Sequence, residues 1–170
     1  GLVGSEMCIR DRLLAALLPG CSRQQRYQAT WFDVFDSVIR VTAYCDSDEE
    51  WQRQSEALHA DLLRYHQLFD IYSHYDGVTN LADVNDAAGG APVAVDDALL
   101  DLLALGKTMY AETGGRCNIA AGAVLSLWHD ARETETLPGD AALQAVAGHC
   151  GIDGLVLDEA AGTVQLTDPE

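Results

Sequence analysis

The spacing of apolar residues changes between residues 27 and 69, and this change constrains the fold more than any other feature. From Val34 to Thr42, within a predicted strand segment at 27–45, apolar and polar residues alternate, which is typical of a strand or a bent hairpin strand. Ser47 and Glu50 then form a capping-box pattern that marks a helix start. Beyond it apolar residues recur at helical spacing, at Trp51, Leu58, Leu62, Tyr65 and Phe69. The sequence therefore predicts a strand segment followed by a helix that buries this face and ends near Phe69.

Strand and helix signals continue to alternate along the rest of the chain. We predict a helical turn at 81–85, a short strand at 92–95, helices at 96–110, 123–131 and 140–149, and two strands joined by a turn at 160–162. Asp96 is placed to cap its helix, and Gly114 or Gly115 supplies a left-handed residue that stops it. Neither a G-x-G-x-x-G turn nor a G-x-x-x-x-G-K-[ST] loop occurs. The pattern indicates an α+β fold without either of these phosphate loops.

The charge of the chain excludes one class of partner. The formal net charge is −17, and the isoelectric point is near 4.3. A surface this acidic repels the phosphates of nucleic acids. We therefore expect no nucleic-acid partner.

The first 29 residues are predicted to be separate from the domain that follows. Residues 1–12 resemble translated adapter read-through, and residues 13–21 resemble the remnant of a bacterial lipoprotein signal that ends at Cys21. The alternative for this short apolar run is the start of a buried helix. On the lipoprotein interpretation Cys21 carries the lipid, residues 22–29 form a polar tether and residues 30–170 form the domain. This predicts a protein anchored at the extracytoplasmic face of a bacterial membrane.

The cysteines and histidines give no strong metal pattern. Cys45, Cys117 and Cys150 are scattered without a C-x-x-C pair, so one disulfide or three free thiols both fit the sequence. His66 and His74 lie near aspartates but on opposite sides of the predicted helix end, which disfavours a metal site there.

Four blocks of sequence together carry a resemblance to a known family. They are FDVFDSVIRVTAY, FDIYSHYDGVTNLADVN, TGGRCNIAAGAVLSLWHDAR and LPGDAALQAVAGHCGIDGLVLD. In order, spacing and composition they resemble the N-terminal half of the FAD:protein FMN transferase (ApbE-like) family. The resemblance implies an ApbE-like, T-fold-related α+β domain. It also implies a Mg²⁺-dependent enzyme that transfers FMN from FAD to a Ser or Thr hydroxyl of a target flavoprotein and releases AMP.

The first two blocks suggest where a flavin would be contacted. Phe35, Asp36 and Ser37 stand where the family has a Met-Gly-Thr-like turn. Tyr72 matches the tyrosine of the F-S-x-Y segment that is expected against the flavin, and Tyr75 is the alternative if the register shifts. An isoalloxazine ring needs an aromatic or apolar face to stack on, which Phe35 and Tyr72 can supply.

The third block supplies the polar part of the predicted site. Arg116, Cys117 and Asn118 match the family's A-F-D triplet that lines the FAD site, with Asn118 in place of the usual Asp. Arg116 can contact phosphate oxygens bidentately, and Asn118 keeps an acceptor and gains donors for a neutral flavin edge. The pair Gly114 and Gly115 allows a close approach of the backbone to a ligand.

Structural explanations compete with each of these assignments. The glycine pair stops a helix in any fold, and Arg116 can be a solvated charge. Tyr72 and Tyr75 can cover a core with their hydroxyls in water. Trp128 is expected in the core, and His129 is expected either at the surface or next to the residues that contact the ligand.

The last residues suggest an incomplete protein. The chain stops at Asp-Pro-Glu directly after a predicted strand, and we expect a truncated reading frame whose central sheet is incomplete. The family's Mg²⁺ ligands would lie beyond Glu170, so we expect little or no activity from this fragment. The alternative function is an extracytoplasmic lipoprotein that binds flavin or another small ligand without catalysis.

Overall fold

A computed structural model describes residues 24–169, and these divide into two compact units at residues 60 and 61. The elements are β1 (Gln25–Trp31), β2 (Ile39–Cys45), α1 (Asp48–Phe69), α2 (Leu81–Asp86), β3 (Val93–Ala94), α3 (Asp97–Glu112), α4 (Gly122–Glu133), α5 (Asp140–Ala147), a 3-10 turn (Ile152–Gly154), β4 (Leu155–Asp158) and β5 (Thr163–Leu166). Helix α1 begins in the first unit and ends in the second. The predicted order of strands and helices is confirmed. Within the described range, no helix has the length and apolarity needed to cross a bilayer.

The first unit is an antiparallel hairpin with the start of α1. Strands β1 and β2 pair from Gln25 opposite Cys45 to Trp31 opposite Ile39. The ring of Trp31 stacks on His59 of α1 at 4.8 Å between centroids. Residues 25–29 were predicted in a tether but lie in β1, because alternate residues of this segment pack against α1. Cys21 and the segments 1–12 and 13–21 lie outside the described residues.

Tyr27 joins the hairpin to the start of α1. Its ring stacks on Trp51 at 5.6 Å, and its hydroxyl donates a 2.6 Å hydrogen bond to Asp48. The hydrogen bond to this carboxylate raises the pKa of Tyr27 to about 12, because losing the proton would place two negative charges side by side.

The hairpin turn places two non-glycine residues in the left-handed region. Phe35 has φ 56° and Asp36 has φ 46°, and Ser37 donates its N–H to the carbonyl of Val34. This is the backbone of a type I′ turn, which normally carries Asn or Gly at its two central positions. Asp36 thus lies in a conformation that favours the glycine implied there by the family resemblance.

We expect Asp36→Gly to stabilise the protein by about 1 kcal/mol, since glycine adopts positive φ without the steric cost borne by other residues. Urea unfolding of the full-length protein measures the change. The control is Asp46→Gly, because Asp46 is exposed and does not have a positive φ. The control should lower stability, and the same direction of change in both variants would contradict the turn geometry.

Helix α1 begins and ends as predicted, but its buried face differs. Ser47 Oγ accepts the Glu50 N–H at 3.2 Å, as in a capping box, whereas the Glu50 carboxylate accepts from Asp46 rather than from the cap residue. Leu58 and Tyr65 were expected to be buried but are 39% and 37% exposed, whereas Leu68 is 4% exposed. Periodicity identifies an apolar stripe but not which part of it meets another element.

The second unit contains a core between α3 and a three-stranded antiparallel sheet of order β3-β5-β4. Its buried members are Val84, Leu99, Leu100, Leu103, Ile152, Leu155 and Val164. Asp96 caps α3 by accepting the Ala98 N–H, and Arg64 donates two hydrogen bonds of 2.8 and 2.7 Å to the same carboxylate. The predicted α+β fold class is confirmed, and the described strands form one two-stranded and one three-stranded sheet.

Candidate functional site

A cavity of about 550 Å³ lies in the second unit. Helix α4 contributes residues that include Leu125, Ser126 and His129, and the segment after α1 contributes Ile71 and Tyr72. The other lining residues come from around the end of α2, from the loop before α4 and from the segment 149–169. Small-molecule sites have volumes of about 300–1,000 Å³ and combine apolar walls with a few polar groups. The cavity therefore has the size and lining of a ligand site.

Asp70 fixes the loop that carries Tyr72. One oxygen of its carboxylate accepts the N–H groups of Tyr72 at 2.7 Å and Ser73 at 3.2 Å, and the other accepts the Tyr75 hydroxyl at 2.7 Å. The hydrogen bond from the Tyr72 backbone is the main cause that lowers the pKa of Asp70, and the bonds from Tyr75 and Ser73 add to it.

This loop separates the two candidate tyrosines. Tyr72 is 73% exposed and lines the cavity. Tyr75 is half-buried, with its hydroxyl bonded to Asp70 and 3.4 Å from His66 Nε2. Tyr72 rather than Tyr75 is therefore positioned to contact a ligand in this cavity.

The lowered pKa of Asp70 gives a pH prediction. Because ionised Asp70 is favoured by folding, its stabilising contribution is present at neutral pH and is lost as the pH falls below about 4. We expect Asp70→Asn to weaken the pH dependence of stability in that range, as measured by urea unfolding between pH 3 and 7. The exposed Asp76 of the same loop provides a control. An equal effect of Asp76→Asn would contradict a specific role for Asp70.

The third sequence block forms the turn after α3 and the loop that leads to α4. Gly114 and Gly115 have φ 61° and 81°, so the predicted left-handed stop is confirmed. The amide of Asn118 donates to the Cys150 carbonyl at 2.9 Å, and its oxygen accepts the Ala120 N–H at 2.9 Å. Asn118 thus ties its loop to the end of α5 instead of directing its amide into the cavity.

The remaining predicted site residues lie in the loop after α3 and in the turn after β1. Arg116 and Cys117 are exposed and are not among the described residues that line it. Phe35 belongs to the first unit, in the turn after β1. Of the predicted site residues in the second unit, Tyr72 alone lines the cavity, and the ligand contacts of the others stay predictions.

Several lining residues were not predicted as site residues. His129, expected at the surface or beside the site residues, lines the cavity, and Trp128, expected in the core, is 46% exposed. His149 Nδ1 lies 3.0 Å from the Asp168 carboxylate, and both residues line the cavity. The position of His129 near Arg132 and Glu133 on one helix could have been noticed, but nothing local links His149 to Asp168.

The backbone of α3 supports one wall of the cavity. Gly106 is buried, and a Cβ built there would overlap the side chain of Ile119, which lines the cavity. A glycine at this position therefore lets the loop that carries Ile119 pack directly on the helix.

No metal cluster is found in residues 24–169, where no group of three or more His, Cys, Asp or Glu side chains could hold an ion. The three described cysteines are free thiols, with Cys45 buried and Cys117 exposed. His74 lies 2.8 Å from Asp83 and 3.3 Å from Asp86, so its two ring nitrogens link the start and end of α2.

The described elements form an α+β fold with a cavity in its second unit. Residues 35–170 match the model of the ApbE family, so the chain belongs to that family. Comparison with curated proteins gives no match.

Solved structures share the fold. The ApbE protein of Thermotoga maritima superposes with a TM-score of 0.69 at 20% identity, over 84% of this chain and 45% of that one. The flavinyl transferase ApbE of Pseudomonas stutzeri, in its apo form, gives 0.68 at 16% identity, over 86% and 48%. The flavin transferase ApbE of Vibrio cholerae gives 0.68 at 16% identity, over 86% and 47%. The chain therefore spans about half the length of each of these structures.

Proposed function

We propose that this chain is the N-terminal half of an FAD:protein FMN transferase. The observation that carries the proposal is the match of residues 35–170 to the ApbE family. Two of the similarly folded proteins are named as flavin or flavinyl transferases, which supports the same assignment. The cavity beside Tyr72 has room for a ring system and an exposed aromatic face to contact it.

The proposed reaction is a phosphoryl-type transfer. The hydroxyl oxygen of a Ser or Thr in the acceptor protein bonds to the phosphorus of the FMN moiety, the pyrophosphate P–O bond breaks, AMP leaves, and the hydroxyl proton passes to solvent. Such transfers depend mainly on positioning and on neutralising phosphate charge. In this proposal Tyr72 positions the flavin, while Phe35, Arg116, Cys117 and Asn118 border the FAD site, with Arg116 available to phosphate oxygens.

Mg²⁺ and its protein ligands belong to the proposal, and residues 24–169 contain no group of three or more His, Cys, Asp or Glu side chains that could hold the ion. We propose that they come from the part of the related structures that this chain does not cover. Bound there, Mg²⁺ would neutralise charge on the pyrophosphate.

A transfer assay on the full-length protein tests the function. FAD, Mg²⁺ and an acceptor flavoprotein domain are supplied, with covalent flavin measured by in-gel fluorescence and AMP by chromatography. We expect both products in equal amounts, and a rate at least about tenfold lower in Tyr72→Ala, since stacking on one ring accounts for roughly that factor. Tyr44→Ala is the matched control, because Tyr44 is an exposed tyrosine on β2.

The alternative function gives a different result in the same assay. A lipoprotein that only binds flavin would show FAD binding without AMP or covalent flavin. That outcome in the full-length protein would contradict the transferase assignment.

We also propose that the protein is held at the extracytoplasmic face of the membrane by a lipid on Cys21. Sequence support is the short apolar run that ends in Leu-Pro-Gly-Cys. Expression of Cys21→Ser in a bacterial host should move the protein from the membrane fraction to the soluble fraction. Retention of the variant in the membrane would contradict this anchor.

A further inference from the structure

Two aromatic rings lie close together in the lining of the cavity. The ring centroids of Tyr72 and His129 are 6.3 Å apart, and their planes differ by 33°. Both residues line the cavity, and the Tyr72 side chain is largely exposed. The pair comes from two distant segments, the loop after α1 and the middle of α4, so its geometry is set by the fold of the second unit.

The His129 ring is held from both edges. Arg132 Nη2 lies 3.2 Å from His129 Nδ1, and since arginine only donates hydrogen bonds, this nitrogen is the acceptor. The other nitrogen, Nε2, then carries the hydrogen and lies 3.4 Å from the Glu133 carboxylate. With both nitrogens engaged along α4, the face of the ring remains available to a ligand.

Hydrogen bonds fix the backbone of the loop that carries Tyr72. Asp70 binds the Tyr72 N–H, and Asn80 binds the carbonyl of the next residue, Ser73, at 2.7 Å. The loop is therefore fixed while the phenol remains free to rotate about its side-chain bonds. The orientation of the His129 ring is therefore fixed by its two contacts, whereas the Tyr72 ring can change its orientation.

The spacing is close to that needed to enclose a third ring. Two successive van der Waals contacts of about 3.5 Å place the outer rings about 7 Å apart. The observed 6.3 Å is short of that by about 0.7 Å, a movement that rotation of the exposed Tyr72 side chain can supply.

We propose that Tyr72 and His129 form a two-sided clamp for a planar heteroaromatic ring of the nucleotide. The inference rests on the proposed function only for the choice of ligand. FAD contains two such rings, the isoalloxazine and the adenine, and either has the flat face that the clamp recognises. In this proposal His129 is a binding residue that stacks its ring face on the ligand and does not form a hydrogen bond with it.

Binding of separate ligand halves to the full-length protein tests the clamp. Riboflavin and FMN are titrated by quenching of flavin fluorescence, and AMP by calorimetry. The variants are Tyr72→Ala, His129→Ala, His129→Gln and His129→Phe, with Trp128→Ala as the control on the same helix, and thermal melting checks that each is folded. We expect about a tenfold higher Kd in Tyr72→Ala, His129→Ala and His129→Gln, and near-native binding in His129→Phe, which keeps a ring.

The outcomes separate the clamp from the proposed function. Weaker binding of riboflavin and FMN assigns the isoalloxazine to the clamp, and weaker binding of AMP alone assigns the adenine. Unchanged affinity for all three ligands in folded His129→Ala and His129→Gln would overturn the clamp, even if transfer activity is normal. Conversely, a protein that shows the ring-dependent binding but no transfer keeps the clamp and loses the transferase assignment.

Discussion

Replacing Asn80 by alanine is expected to destabilise the protein by about 3 kcal/mol, through loss of a helix cap and of a buried hydrogen bond. Asn80 is fully buried, and its side-chain oxygen accepts the Asp83 N–H at 3.1 Å. Its amide donates to the Ser73 carbonyl at 2.7 Å, and Asp83 in turn accepts the Asn80 N–H. Urea unfolding of the full-length protein measures the loss.

The matched control for this prediction is Asn85→Ala. Asn85 belongs to the same helix, α2, but is exposed. We expect a change within about 0.5 kcal/mol for the control, as for most surface substitutions. Similar losses in the two variants would show that Asn80 has no special role in holding the loop of Tyr72.

Gly89→Ala is expected to cost about 3 kcal/mol, because a methyl group there meets two obstacles. Gly89 has φ 73°, and a Cβ at this position would lie 2.8 Å from Pro169 Cβ and 3.2 Å from Pro169 Cα. Its N–H also donates to the Leu166 carbonyl at 2.9 Å, so the substitution strains the contact between this loop and the end of β5. Urea or thermal unfolding of the full-length protein measures the effect.

Gly114→Ala separates the cost of the left-handed backbone conformation from the cost of the contact with Pro169. Gly114 has φ 61°, but a Cβ there has no neighbour within 4 Å. We expect Gly114→Ala to lower the free energy of unfolding only by the cost of the left-handed conformation, about 1 kcal/mol. Equal losses at the two glycines would mean that the contact with Pro169 is absent in solution.

Local signals in the sequence were sufficient to predict most elements of the fold. Asp96 was predicted as the cap of α3, and the glycine pair after α3 as its left-handed stop, because each signal acts within a few residues. The exposed state of Leu58 and Tyr65 could not be predicted, since it depends on which elements lie against α1. The cap at Asn80 was missed although its partner Asp83 is only three residues away, whereas the hydrogen bond from its amide to the Ser73 carbonyl depends on the fold of a loop and has no sequence signal.

The site was less predictable than the fold. Tyr72 could be proposed from the family pattern, and the structure places it at the cavity. Asn118 was expected to contact the flavin, but its partner, the Cys150 carbonyl, is 32 residues away and no local pattern reveals it. The contact of His149 with Asp168 spans 19 residues and has the same difficulty. Contacts of this kind arise from tertiary packing, which periodicity and caps do not encode.

The central claim is that the cavity beside Tyr72 holds a ring of FAD. A crystal structure of the full-length protein with FAD tests it most directly. We predict an aromatic ring of the nucleotide within van der Waals contact of the Tyr72 ring and inside the cavity lined by α4. Well-defined FAD bound elsewhere, with Tyr72 in contact only with solvent, would contradict the account.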